Sequence, residues 1–506
     1  MPQKNNSKKY FFILGSNPAL SLAEIFGLLN SDVVNNNAEV HRLAGVSPQR
    51  TPARQGCLAP ASESPACGQG DSDGASENAR IITFCKDFLI VELDEKIDAN
   101  KLMGILGGTI KIGIILENGN VNIGARDLIE KINIDKNKKF YFGFSVYGKI
   151  NANFKQLAME IKKELKQDGA SSRWVISREK QLSSVVVKKN KLVDENGAEF
   201  CVLKNEDKIF WGRTLFVQEF EDYSRRDFDR PQRDSRSGMI PPKLAKIMIN
   251  LARAELDYKS KNNITLLDPF CGSGTILQEA AILGIDKIIG SDLSEKAVED
   301  SRQNLKWLEE RINISPQSPN ERLRRGTGIA GKALDTPLGV QRLKRWDSCA
   351  ISIFNSDVRK ISGLIPAGSV DLIVAEPYLG PPLHGSENEN KIDQIVKELS
   401  ELYISAFKEF KKILRQGGCI CMVWPVFVIY KKNIFLPILD EVEKMGFRQV
   451  RFDSNNYTNL IFDDGCKSQL TTPAPQSPNG RLRRSGGGIF DDGCRSQLTT
   501  PAPQSP

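Results

Sequence analysis

Histidine is nearly absent from this chain, with two among 506 residues, His41 and His384. A multi-histidine metal centre is therefore excluded, and a Ser-His-Asp triad would have to recruit one of these two. The chemistry is expected to work without imidazole and without a metal. The ten cysteines include no Cys-x-x-Cys pair, and Cys419 and Cys421 share one apolar run. Reduced thiols fit this scatter better than a disulfide framework. No apolar run approaches the ~18 residues that a bilayer span requires. The start, MPQKNNSKKYFFILG, holds only a four-residue apolar stretch, short for a secretory segment. No membrane association and a cytoplasmic location are expected.

What is present is enough chain for two or three packed domains. Seventy Lys and Arg against 62 Asp and Glu leave +8, a mild excess that permits a polyanionic partner without requiring one. Composition breaks three times. Between Ala44 and Arg80 the only branched aliphatics are Val46 and Leu58, too little apolar surface to offset the entropy of ordering. Ser315 to Arg345 carries seven basic residues and no aromatic, and its PQSPNERLRR returns at Pro475 to Arg484 with one change. Ile461 to Pro478 is repeated at Ile489 to Pro506, differing only at Lys467 and Arg495. These stretches read as low-complexity insertions at 44–80 and 315–345 and a disordered repeated tail at 465–506, tolerated because loop closure grows only slowly with length.

Three regions remain. Residues 1–230 mix strand-like runs, Phe88 to Leu93, Phe140 to Gly148 and Leu182 to Val187, with an amphipathic helix in which Leu157, Ile161 and Leu165 share a face. This is an α+β pattern. Residues 231–263 form a linker and a helix opened by Pro241 and Pro242, presenting Leu244, Ile247, Met248 and Leu251 to a core. From 264 to 464 the rhythm is β-α-β-α. ITLLD, KIIGSD, ISIFN, DLIVA and GCICMVW are short, continuously apolar strands suited to burial on both faces. FRQVRFDS and TNLIFDD are expected to close the sheet as an antiparallel pair.

The most informative segment is ITLLDPFCGSGTILQEAAILGIDKIIGSDLSEKA. A strand ends at Asp268, Gly272 and Gly274 make a turn with no Cβ in a ligand's way, and a helix begins near Thr275. Open α/β sheets bind ligands at this carboxyl edge. The next strand ends at Asp292, 24 residues on, where a carboxylate can accept both hydroxyls of a ribose. The loop is not Gly-x-Gly-x-x-Gly, and no Gly-x-x-x-x-Gly-Lys-Ser/Thr occurs in the chain. A nucleoside cofactor is favoured over a dinucleotide or a triphosphate.

DPFCGSGTILQEA followed by GSDLSEKAVEDSRQNL resembles the cofactor-binding half of Rossmann-like class I methyltransferases, in the amino-group-methylating branch. FFILGSNPALSLAEI, the region ending WGRTLFVQ, and RRDFDRPQRDSRSGMIPPKLAKIMINLA resemble the THUMP-containing tRNA (guanosine-N2) methyltransferases. The resemblance covers most of the chain outside the insertions. It implies a mostly parallel seven-stranded sheet behind an α+β THUMP-like region, S-adenosyl-L-methionine as cofactor and tRNA as partner. It further implies that Asp268, Phe270, Gly272, Gly274 and Thr275 line the cofactor, that Asp292 holds its ribose, and that Asp357 faces the adenine amino group. A helix cap is the plainer role for Asp357. No protein partner subunit is indicated.

Enzymes of that branch place Asp/Asn-Pro-Pro-Tyr after the fourth strand. A side-chain oxygen and a backbone carbonyl accept the amine protons, and the ring stacks on a flipped base. Here the loop reads DLIVAEPYLGPPLHG. Pro377 and Tyr378 match, but Ala375 stands where the acid or amide belongs and Glu376 replaces the first proline. Glu376 is expected to supply the missing oxygen; His384 could accept a proton but is more ordinary as a loop residue. The implied reaction is N2-methylation of a tRNA guanosine. A DNA amino-methyltransferase and an inactive tRNA-binding protein that keeps the pocket are the alternatives. Lys188, Lys189, Lys191 and the cluster Arg225, Arg226, Arg230, Arg233 and Arg236 could contact phosphates. Asp222, Asp227, Asp229 and Asp234 interleave with those arginines, so a solvated face fits them equally.

Overall fold

In the computed structural model, residues 7–30, 79–94, 96–119, 123–150, 154–233, 239–256, 263–314, 349–383, 387–429 and 432–450 are described. The insertion 315–345, nearly all of 44–80, the tail, His41, His384 and Arg236 lie outside them. Ala79 and Arg80, assigned above to the first insertion, open a strand.

The N-terminal α+β region is built on one eight-stranded sheet in the order β2-β3-β1-β4-β8-β7-β5-β6. The strands are β1 (Lys8–Leu14), β2 (Ala79–Phe84), β3 (Phe88–Leu93), β4 (Thr109–Asn118), β5 (Phe140–Tyr147), β6 (Ser172–Val175), β7 (Gly197–Asn205) and β8 (Lys208–Val217). Helix Phe154–Gln167 covers one face and buries Ala158, Ile161 and Leu165, while Leu157 is only partly buried. Phe144 stacks on Phe200 with ring centroids 5.7 Å apart and meets Trp211 edge-on, filling this core.

The expected strand Leu182 to Val187 is instead largely a helix, Ser184–Lys189. Its β-branched run is overridden locally and by tertiary contacts. Ser183 caps the helix by accepting from the Val186 amide, while Leu182 is tied into the core through its own amide and carbonyl. Lys188, Lys189 and Lys191 therefore lie on or just after a helix.

The second sheet has five strands, all parallel, in the order β11-β10-β9-β12-β13. They are β9 (Thr265–Asp268), β10 (Lys287–Asp292), β11 (Ala350–Asn355), β12 (Val370–Ala375) and β13 (Leu414–Met422). Every residue of β9 and β12 is buried, as continuous apolar strands require in a sheet covered on both faces. The order reverses between β9 and β12, and such a switch point opens a crevice at the carboxyl ends.

Seven strands were expected; the described residues give five, with β14 (Val426–Ile429) and β15 (Lys432–Phe435) forming a separate antiparallel pair. The expected closing strand is absent over residues 447–450, and its partner lies outside the described residues. Phe447 instead packs edge-on against Phe407, centroids 5.3 Å apart.

Helix Pro242–Ala254 joins the two halves. Pro242 sits in its first turn, where a missing N–H costs nothing, and Leu244, Ile247, Met248 and Leu251 are all buried. Full burial of side chains this size contributes about 1.5–3 kcal/mol each. They share a core with Leu266, Leu277 and Val374 of the parallel sheet and its helices, and with Ala23 and Ile105 of the N-terminal region. Glu24, on helix Pro18–Asn30, accepts from the Gly107 and Gly108 amides at 2.9 and 2.8 Å and from Asn250 Nδ2 at 2.6 Å. A Cβ on Gly107 would fall 2.5 Å from the Lys243 carbonyl, so only glycine permits this approach.

Candidate active site

The loop leaving β9 runs from Pro269 to Gly274 and feeds helix Thr275–Ile282. Gly272 (φ +51°) and Gly274 (φ +82°) are both left-handed. A Cβ at Gly274 would press to 2.9 Å on Ser301 Oγ, whereas one at Gly272 would meet nothing within 4 Å. The backbone at Gly272 is thus open to a ligand while Gly274 is the tight corner. Neighbours fix the turn. Cys271 N donates to the Ser291 carbonyl at 2.9 Å, Ser301 Oγ to the Gly272 carbonyl at 2.8 Å, and Asn304 Nδ2 to the Ser273 carbonyl at 2.8 Å.

Three carboxylates converge at the carboxyl ends of β9, β10 and β12. Asp268 is buried, and burial pushes its carboxyl well above the usual range; the Phe270 amide opposes this, while the charges of Asp292 and Glu376 add to it. Asp292 Oδ2 accepts from Gly272 N at 3.0 Å and Oδ1 from Ser294 N at 2.9 Å. Each oxygen keeps a further lone pair, which is what a sugar diol needs. Asn355 Nδ2 holds the backbone behind it, donating to the carbonyls of Asp292 and Leu293 at 2.9 and 2.8 Å.

Glu376 follows β12 directly. Burial pushes its carboxyl up to about 7, and the Ile240 backbone, just before helix Pro242–Ala254, hydrogen-bonds it and moderates the shift. Pro377 is buried and Tyr378 is 56% exposed, so the ring stands free. The Tyr378 carbonyl accepts from Tyr403 Oη at 3.0 Å. Tyr403, on helix Glu389–Ile413, is itself braced edge-on by Trp424, and burial followed by the nearby Glu376 charge pushes its hydroxyl up.

Of the residues singled out from sequence, Asp268, Gly272, Gly274, Asp292 and Glu376 come to one sheet edge. Phe270 is half-buried against the core beside β9 and β12. Thr275 is buried, and its hydroxyl accepts from Arg230. Asp357 caps the 3-10 turn Val358–Gly363; its Oδ1 accepts from Arg359 N and Nε, and its Oδ2 from Arg359 Nε and Nη2. These bonds, the Arg359 side chain's first, hold its carboxyl below the usual range. Recruiting it to an adenine would displace the exposed Arg359.

Among the described residues the arginine cluster does not form a phosphate face. Arg226 is buried and donates to Glu279 Oε1 at 2.6 Å, and Arg230 is buried against Thr275. Arg225 pairs with Asp222 and the Arg233 guanidinium lies over the Phe228 ring. Lys188 pairs with Glu219, which leaves Lys189 and Lys191 as the exposed members of the lysine group.

Sequence reasoning missed Glu279, Tyr403 and Glu24, and offered Arg230 for phosphate contact where it is buried beside Thr275. A charged residue inside an otherwise apolar helix, as in TILQEAAI, was the available signal for Glu279.

Residues 230–429 match the family model described as UPF0020, an RMKL-like methyltransferase domain. A tRNA (guanine(10)-N2)-dimethyltransferase of Pyrococcus abyssi is 33% identical over 105 residues, 20% of this chain and 29% of that protein. One from Methanothermobacter thermautotrophicus is 41% identical over 68 residues, 13% of this chain and 18% of that protein. The matched segments thus span less than a third of these relatives' own lengths. TrmN from Thermus thermophilus superposes over 82% of this chain and 88% of its own, with 15% identity and a TM-score of 0.40.

Proposed function

We propose that this chain, whose residues 230–429 match the RMKL-like methyltransferase domain model, methylates the exocyclic N2 amine of a guanosine in tRNA with S-adenosyl-L-methionine as donor. The observation that carries the proposal is the meeting of Asp268, Asp292 and Glu376 at the switch point of a parallel sheet in that domain. The activity for which these relatives are named makes position 10 of tRNA the first nucleotide to test, and dimethylation the first product to look for. A cytoplasmic location is proposed with that substrate.

The residues fit the donor. Gly272 leaves its backbone uncovered, Asp292 has lone pairs to spare for a ribose, and a cation beside Asp268 and Glu376 would favour the ionised forms that burial opposes. Asp268, Gly272, Gly274 and Asp292 would hold it, with Phe270 and Thr275 shaping the loop. The donor supplies a methyl group already activated on sulfur, so the protein needs neither a metal nor a covalent intermediate.

What the chain must do is orient a weak nucleophile. An aromatic amine attacks only when its N–H bonds are held so that the nitrogen lone pair faces the methyl. The Glu376 carboxylate and its backbone carbonyl are the acceptors proposed for those two protons, and Tyr378 is the surface on which the turned-out base stacks. As the N–C bond forms, the methyl–sulfur bond of the donor would break to release a neutral thioether, and one amine proton passes to the Glu376 carboxylate. The partly neutral carboxyl that burial produces in the free protein is matched to accepting it near pH 7.

The test is direct. Purified protein, labelled donor and unmodified tRNA are incubated, and the RNA is digested to nucleosides. Labelled N2-methylguanosine is expected; none above a boiled control overturns the proposal. Label in duplex DNA but not in tRNA would move the substrate to DNA.

A further inference from the structure

Arg226 and Arg230 stand four residues apart, both buried, and end differently. Arg226 grips the Glu279 carboxylate with Nε at 2.6 Å and Nη2 at 3.5 Å, so its charge is matched. Among the described residues Arg230 meets no carboxylate. Its Nη1 donates to Thr275 Oγ1 at 2.6 Å, its Nη2 reaches Met239 Sδ at 2.8 Å, and its buried Nε has no hydrogen-bond partner among the described residues. Asp227 and Glu279 act on it only at longer range, and Arg233 opposes them. A guanidinium 3% exposed with an unused donor is costly unless an anion completes it.

Its place says which anion. Thr275 opens helix Thr275–Ile282, so the guanidinium adds its charge to the positive end of that helix, directly after Gly272 and Gly274. Asp268 opens the same loop, Asp292 accepts from its Gly272 amide, and Glu376 is near enough to act on Asp268. A ligand lying along the loop meets a cation at one end and carboxylates at the other. An α-amino acid group has that polarity.

We infer that Arg230 binds the carboxylate at the amino-acid end of the nucleoside cofactor, an inference that rests on the proposed function. Thr275 holds the guanidinium in place, and the free Nε is a donor the carboxylate takes up.

Calorimetry on the full chain separates this role from a purely structural one. Two ligands are compared, S-adenosylhomocysteine and 5′-methylthioadenosine, which lacks the amino-acid end. Arg230→Gln is expected to weaken the first by about 10- to 100-fold, as loss of a charged hydrogen bond does, and the second by less than about threefold. Arg230→Lys retains the charge and part of the preference. Equal loss for both ligands makes Arg230 a prop for the loop and overturns the inference, as does no loss for either. Should Arg230→Gln fail to fold by circular dichroism, Arg230→Lys decides on the same two ligands: a loss confined to S-adenosylhomocysteine supports the inference and parity overturns it. If wild-type protein binds neither ligand, the proposed function falls and takes the inference with it.

Discussion

Two buried charge assemblies, one in each half of the molecule, use the same kinds of side chain to opposite ends. In the N-terminal sheet Glu199 Oε1 accepts from Lys111 Nζ and Ser145 Oγ, each at 2.5 Å, and Oε2 from Thr214 Oγ1 at 2.6 Å. Lys111 also donates to the Leu182 carbonyl at 2.6 Å, and Ser145 Oγ accepts from the Leu182 amide at 2.8 Å. A serine, a lysine and a glutamate in contact would look like a nucleophile and its base. Here they are sealed from solvent, positive charge answers negative, and the result is a rivet that ties β4, β5, β7 and β8 to the segment before helix Ser184–Lys189. At the parallel sheet three carboxylates gather with none of them in an ion pair among the described residues. A buried polar group with its partners supplied within the fold is structure; one left short is waiting for something else.

The sharpest way to break this contrast is Lys111→Met. It strands the Glu199 charge and is expected to destabilise the fold by about 3–5 kcal/mol in urea unfolding, with much of the loss recovered when Glu199→Leu is added. A single-mutant loss below about 1 kcal/mol would show that the rivet is ornamental.

Glu376→Ala should act on the other side of the comparison, lowering turnover about 10²- to 10⁴-fold while donor affinity stays within about threefold. The pH profile tests the same group. Its ionised form is the acceptor, so wild-type turnover should rise with pH through about 7 and then level off. The stability effect has the opposite sense. A carboxyl raised by burial stabilises the folded state while protonated, below its unfolded value, and that contribution is lost as pH climbs through about 7.

Tyr403→Phe is the smallest of these changes. It removes one hydrogen bond to the Tyr378 carbonyl, worth about 1 kcal/mol, and should slow turnover severalfold with no change in donor affinity. A fall in affinity would mean that Tyr403 reaches the cofactor loop as well.

The glycine loop after β9 was legible because its determinants are local. Two glycines, an apolar run ending in Asp268 and a second ending in Asp292 fix a strand, a turn and a helix within one short stretch. Helix Pro242–Ala254 announced itself by its prolines and its apolar stripe. Arg226 and Arg230 misled for the converse reason. Interleaved Arg and Asp looked like a solvated or phosphate-facing stretch, and nothing adjacent in sequence reveals that Glu279 and Thr275 fold onto them. Tyr403 was invisible for the same cause, since its value lies in a carbonyl on another element. The β-branched run in Leu182 to Val187 favours a strand, while a serine cap and the buried grip on Leu182 decide otherwise.

Helix Pro242–Ala254 is lodged in one core shared by both halves, and that leaves no pivot between them. Any motion parting the halves would have to strip Glu24 of Asn250 and Glu279 of Arg226 together. The halves therefore resemble the jaws of a locked calliper rather than of a clamp. Under the proposed function, the position of the free ring of Tyr378 relative to the N-terminal region is set when the chain folds, so the nucleotide has to be brought to a fixed point.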